Sequence, residues 1–170
     1  MKMSLRFSLR ILLALVIVAP SFFTPEIALA APFLQDDDPV TQCAIGVDLF
    51  IDNKNAEAFP LLEAGFTNRG EGNFTDPDNL GKCALALGIL YKSMGNNNEA
   101  LSAYEVALLS FKSSNNKSFE GKALNNIGLV YQIQGRYDEA LENYQQALVI
   151  QRKAGNRNSE GTVLNGIGAV

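Results

Sequence analysis

Cys43 and Cys83 are the only two cysteines of this 170-residue chain, forty positions apart, and histidine is absent altogether. Two thiols at that separation can pair as a structural disulfide, or remain reduced and pack as small apolar side chains. They cannot supply a four-thiolate zinc site. Without imidazole, no Ser-His-Asp or Cys-His nucleophile and no His-ligated zinc can be assembled. The acidic run Asp36-Asp37-Asp38 lacks the alternating ligand spacing of a calcium loop. GxxxxGK[ST], GxGxxG and GxSxG patterns are also missing, so nucleotide hydrolysis and serine esterase chemistry have no support. The expectation is a protein without catalysis, cofactor or metal. Its remaining chemistry is that of amide side chains such as Asn125 and Asn126, which offer donors and an acceptor to a peptide backbone.

The elements that would position those amides can be read from composition and periodicity. With 47% hydrophobic and 19% charged residues, the chain is too apolar to be wholly disordered. Its 14 basic residues against 18 acidic ones give no footprint for nucleic acid, which is excluded as an expected partner. Lys2, Arg6 and Arg10 precede an apolar stretch from Ile11 to Ala19, then Pro20, and then Ala28-Leu29-Ala30. This is the pattern of a secretory signal peptide over residues 1–30, cleaved after Ala30, and the stretch is shorter than the roughly 20 apolar residues of a membrane span. The protein is therefore expected to be exported, to a periplasm, a cell surface or the medium. Residues 31–39 read as an acidic linker.

From there the sequence repeats itself every forty residues. Gly81, Gly121 and Gly161 align, as do Gly88, Gly128 and Gly168, and the match continues through Tyr91 with Tyr131, Gly95 with Gly135, and Tyr104 with Tyr144. A period of this length indicates a solenoid, a propeller or an array. Leu124, Ile127, Gly128 and Tyr131 fall at i, i+3, i+4 and i+7 on one helical face, and Ala140, Tyr144, Ala147 and Leu148 form a second stripe after Gly135. Each unit is thus a helix, a turn closed by glycine in the left-handed conformation, and a second helix. Glycine inside a helix costs about 0.8 to 1 kcal/mol relative to alanine. Its recurrence at 88, 128 and 168 predicts close approach of a bulky neighbour, with Tyr104 and Tyr144 as the candidates. The expected fold class is all-α, an α-solenoid of antiparallel helix pairs. Its units are a degenerate repeat at 40–80, clear repeats at 81–120 and 121–160, and the truncated start of a further one at 161–170.

Leu124-x-x-Ile127-Gly128-x-x-Tyr131 followed by Ala140-x-x-x-Tyr144 resembles the tetratricopeptide repeat, and the stretch from Ala84 to Tyr104 repeats the pattern. Ala84 and Leu124 stand where the family has a large aromatic, the proline that ends its second helix is missing, and the unit exceeds the usual ~34 residues. Without the proline, the second helix can run on through Phe111 or Arg152. Forty-residue units of this kind are similar to the kinesin light chain class and to bacterial exported repeat proteins.

The resemblance implies a non-catalytic scaffold that holds a protein or extended peptide on the concave surface made by the first helices. On a helical wheel Asn125, Leu129 and Gln132 lie together, bordered by Asn126 and Ile133, with Asn165 in the following unit. These are the candidate partner-binding residues, beside a weak basic tint from Lys82 and Lys122. Because many bacterial relatives carry a caspase-like CHAT peptidase domain downstream, the resemblance also implies an alternative, the N-terminal sensing region of such a peptidase. Val163, Leu164, Ile167, Ala169 and Val170 would leave an apolar end. That end is either the cut edge of a longer array or a surface for end-to-end self-association.

Overall fold

The computed structural model describes residues 38–70 and 74–170; the signal peptide expected at 1–30, and the linker at 31–39 apart from Asp38 and Pro39, lie outside them. Among the described residues there are seven helices and no strand: α1 Pro39–Ile51, α2 Asn55–Thr67, α3 Pro77–Ser93, α4 Asn97–Ser113, α5 Lys117–Ile133, α6 Tyr137–Lys153 and α7 Arg157–Gly168. The architecture is an all-α solenoid of helix pairs. No described helix is long and apolar enough to cross a membrane.

From α3 onward, helices start at Pro77, Asn97, Lys117, Tyr137 and Arg157, twenty residues apart, so the forty-residue sequence period contains two equal structural steps. Helices α3 to α6 each have 17 residues. The step is set by one kind of turn. Gly95, Asn115, Gly135 and Gly155 all take positive φ, at 81°, 57°, 75° and 69°. After each of them the next N–H returns to a carbonyl five residues back: Asn96 to Tyr91 at 2.9 Å, Asn116 to Phe111 at 2.9 Å, Arg136 to Tyr131 at 2.9 Å and Asn156 to Gln151 at 3.0 Å. These are Schellman closures, which satisfy the carbonyls orphaned at a helix end. Glycine and asparagine reach the required conformation at least cost.

Starts are encoded as locally as stops. Asp38 and Asp76 each precede a proline and accept from the N–H of Thr41 at 3.0 Å and of Asp78 at 2.9 Å. Asn116 and Asn156 cap α5 and α7 through Phe119 and Ser159. The first helices begin one turn before Gly81, Gly121 and Gly161, which places those glycines inside the helices.

Consecutive helices pack against each other, α1 also meets α3, and α5 also meets α7. The core is accordingly serial. One cluster joins Cys43, Leu62 and Leu87, the next joins Tyr104, Phe111 and Ile127, and the third joins Leu124, Tyr144 and Val163. Each buries the apolar stripes of three successive helices, which no helix pair could cover alone. Cys43 and Cys83 are joined by a disulfide with a Cα–Cα distance of 5.3 Å, tying α1 to α3.

Glycines on the first helices admit the large residues of the second. A Cβ on Gly88 would stand 2.6 Å from Cε1 of Tyr104, and one on Gly81 would stand 2.6 Å from Cε1 of Phe111. In the next pair, Gly128 faces Tyr144 at 2.8 Å and Gly121 faces Gln151. The close approach expected at Gly88 and Gly128 is therefore present. Gly161 and Gly168 on α7 have no such neighbour among the described residues.

Candidate functional site

The first helices carry a groove along the side where they face one another. Two cavities occupy it, and they share Leu85, Ile89 and Phe119 as common wall. The cavity between α1 and α3, about 450 Å³, is largely apolar, with Val47, Phe50 and Ile51 opposite Leu85 and Ile89, and with Asp48, Asn79 and Lys82 as its polar groups. The cavity between α5 and α7, about 320 Å³, is more mixed, with Asn125, Asn126, Ser159 and Thr162 set beside the shared apolar wall.

Phe119 marks the boundary between the two. It sits on the first turn of α5, packs at 5.0 Å between centroids on buried Phe111, and carries the Lys122 ammonium 4.4 Å above its own ring. A ring held this way is a fixed apolar surface with one positive charge over its face. Lys82 and Lys122 recur at the same place on successive first helices, so the groove wall gains positive charge at a forty-residue spacing. Further along α3, burial pulls the Lys92 ammonium below the usual lysine value.

The structure brings Asn125 and Asn126 together in the α5–α7 cavity. Leu129 and Gln132 are half-buried on the following turn, while Ile133 is 54% exposed and Asn165 is exposed. Gln132 is already engaged at both ends of its amide: it donates to the Ala169 carbonyl at 2.9 Å and accepts from the Tyr144 hydroxyl at 2.8 Å. It holds α5, α6 and α7 together. Of the residues lining the two cavities only Asn125 and Asn126 were sequence candidates, and Phe119 and Gln151 are among those that were not. Gln151 had a readable signal, since the forty-residue shift puts it at the position of Phe111. Phe119 had none, because the same shift pairs it with Asn79 and Ser159.

The wall is braced by contacts that cross between repeats. Asn116, besides capping α5, donates to Asp78 at 2.7 Å, and Ser114 donates to the same carboxylate. The bond from Ser114 holds the Asp78 carboxyl below its usual value against the opposing effect of burial, and Asn116 adds to it. Forty residues on, Asn156 donates to Ser118 at 3.2 Å in the same role. First helices from α3 onward are thus registered through their N-terminal turns.

Residues 119–170 match the family model for the tetratricopeptide repeat, a span that covers α5 from Phe119 onward, α6 and α7. No curated protein matches the chain.

Proposed function

We propose that this array of tetratricopeptide repeats is a scaffold that binds a peptide or protein segment in the groove of its first helices, and that it does so after export. Such repeats generally mediate protein–protein contact and are typically non-catalytic. The observation that carries the reading is the pair of cavities sharing Leu85, Ile89 and Phe119. Together they offer an apolar strip flanked by Asn125 and Asn126, whose amides can serve both polar edges of a bound backbone. Export is supported by the Cys43–Cys83 disulfide, a crosslink that persists in oxidising compartments.

The test is retention of a partner from the host's extracytoplasmic fraction, comparing the wild type with Asn126→Ala and Ile89→Asp. Retention falls at least about tenfold in both variants, provided that they melt as the wild type does. Retention undiminished in both would remove the groove from the function.

A second reading, self-association, is favoured by one observation. On α7, Gly161, Leu164 and Gly168 form the face that α3 and α5 bury against their second helices, and here Leu164 is 43% exposed. Light scattering over a concentration series decides it, since a monomer throughout the series eliminates this contact.

A further inference from the structure

The forty-residue shift takes Cys43 to Cys83, Cys83 to Ala123 and Ala123 to Val163. All four are buried, at 1% exposure or less. A small apolar side chain therefore suffices for packing at this place, and sulfur is not needed to fill it. What the cysteines add is a covalent tie between α1 and α3. The later first helices are tied by hydrogen bonds instead, Asn116 to Asp78 and Asn156 to Ser118.

The tie falls where the groove depends on it. Val47, Phe50 and Ile51 of α1 form one wall of the cavity between α1 and α3, opposite Leu85 and Ile89. α1 and α2 have 13 residues each against the 17 of α3, and they pack on each other and on α3. In a solenoid the repeat at an end is held by a single neighbour interface and is among the first parts to open. When it opens, the cavity loses a wall. α2 also closes over the crosslink. A Cβ on Gly65 would lie 2.8 Å from Cys43 Sγ, and the Leu62 carbonyl oxygen lies 3.8 Å from Cys83 Sγ. With Cys43 at 1% and Cys83 at 0% exposure, an attacking thiolate cannot reach either sulfur until α2 lifts.

We propose that the Cys43–Cys83 disulfide is a one-way latch: its formation docks α1 on α3 and completes the apolar half of the groove, and α2 then seals it against reduction. A disulfide-bearing oxidant makes the bond by exchange. One cysteine thiolate attacks the oxidant's disulfide, and the second displaces the oxidant's remaining sulfur from the mixed disulfide. The two cysteines give up two protons and two electrons, and the oxidant takes both up as two thiols. Binding in this half of the groove is thereby confined to chains that have been oxidised.

The inference rests on the groove reading and is tested so that the two can fail separately. Randomised peptides are selected on the oxidised full chain, and a selected peptide whose binding Ile51→Asp weakens serves as the probe of the α1–α3 cavity. The Cys43→Ala, Cys83→Ala double variant binds this probe at least about tenfold more weakly, because only molecules with α1 docked are competent. Its α5 and α6 keep their hydrogen-exchange protection, which separates loss of the cavity wall from loss of the fold. Dithiothreitol at a concentration that reduces the urea-unfolded wild type leaves the disulfide of the folded protein intact over the same time. Gly65→Ala sets a methyl group against Cys43 and α2 lifts, so reduction of the folded chain becomes at least about tenfold faster. Equal binding of the probe by the double variant and the wild type overturns the latch and leaves the groove standing. So does a selection in which no peptide responds to Ile51→Asp, or reduction of the folded wild type as fast as of the unfolded chain. Loss of protection in α5 and α6 overturns it as well, since the crosslink would then hold the whole array. Selection of no peptide by the oxidised chain overturns the groove and the latch with it.

Discussion

The ring of Tyr104 occupies the space in which a side chain on Gly88 would stand, and forty residues later Tyr144 stands in the same way against Gly128. Tyr144 is enclosed from the far side as well, since a Cβ on Gly166 would lie 2.8 Å from its Cζ. A second-helix tyrosine therefore sets the spacing between one first helix and the next, and the glycines are the recesses that receive it.

This relationship predicts opposite signs for the same substitution at two positions. Gly88→Ala gains about 1 kcal/mol of helix propensity but forces a methyl group into the Tyr104 ring, an overpacking cost of about 1 to 3 kcal/mol. The net result is a loss of up to about 2 kcal/mol, towards the upper end because Tyr104 is fully buried and cannot swing away. Gly161→Ala, with open space around it, keeps the propensity gain and stabilises by about 0.5 to 1 kcal/mol. Urea unfolding of the two variants beside the wild type checks both signs.

The pairing of glycine with tyrosine was legible in the sequence because both recur at the same shift, and recurrence of a costly residue demands a structural reason. The equality of all helices from α3 to α6 was not. It depends on Asn115 adopting the conformation of Gly95 and Gly135, and asparagine announces that conformation less plainly than glycine. The groove was legible only in part. A helical wheel gives the direction in which Gln132 points but not the arrival there of Ala169 and Tyr144, which are contributed by helices further along the chain. Likewise Phe119 enters the wall through its packing on Phe111, which no repeat alignment encodes.

Gln132 and Asn126 should therefore separate structural from binding roles. Gln132→Ala leaves the Tyr144 hydroxyl without its acceptor and releases the Ala169 carbonyl, lowering stability by about 1 to 2 kcal/mol. Asn126→Ala, on the cavity wall, stays within about 0.5 kcal/mol of the wild type. Thermal melts of the two purified variants check this without any ligand.

Removing the disulfide tests how far the array depends on its first repeat. Cys43 and Cys83 are 40 residues apart, and closing a loop of that length contributes roughly 4 kcal/mol in the chain-entropy model. The Cys43→Ala, Cys83→Ala double variant, or the wild type with a strong reductant, unfolds at lower denaturant by an amount corresponding to about 3 to 4 kcal/mol. Since nearest neighbours alone hold a solenoid together, hydrogen exchange should rise first in α1 and α2 and least in α5 and α6. Uniform acceleration along the chain would show that the crosslink acts on the whole array.

Alkaline pH should unfold the array through its tyrosines. Burial, then the hydrogen bond to Glu63 and the charge of that carboxylate, push the Tyr91 hydroxyl up from 10.0 to about 12. Burial alone also raises Tyr104 and Tyr144. In each case the folded state holds its proton more tightly than the unfolded chain does. The stabilisation is fully present below pH 10 or so, where neither state is ionised, and is lost as pH rises from there through about 12. Denaturant midpoints measured across that range fall with pH, and the spectroscopic titration of the folded protein shows part of its tyrosine ionisation delayed until unfolding. Glu63→Gln keeps an acceptor for Tyr91 but removes the charge, so the Tyr91 ionisation moves to lower pH while burial still holds it above 10.0. A midpoint independent of pH between 8 and 12 would mean that these hydroxyls ionise equally in both states, contrary to their burial.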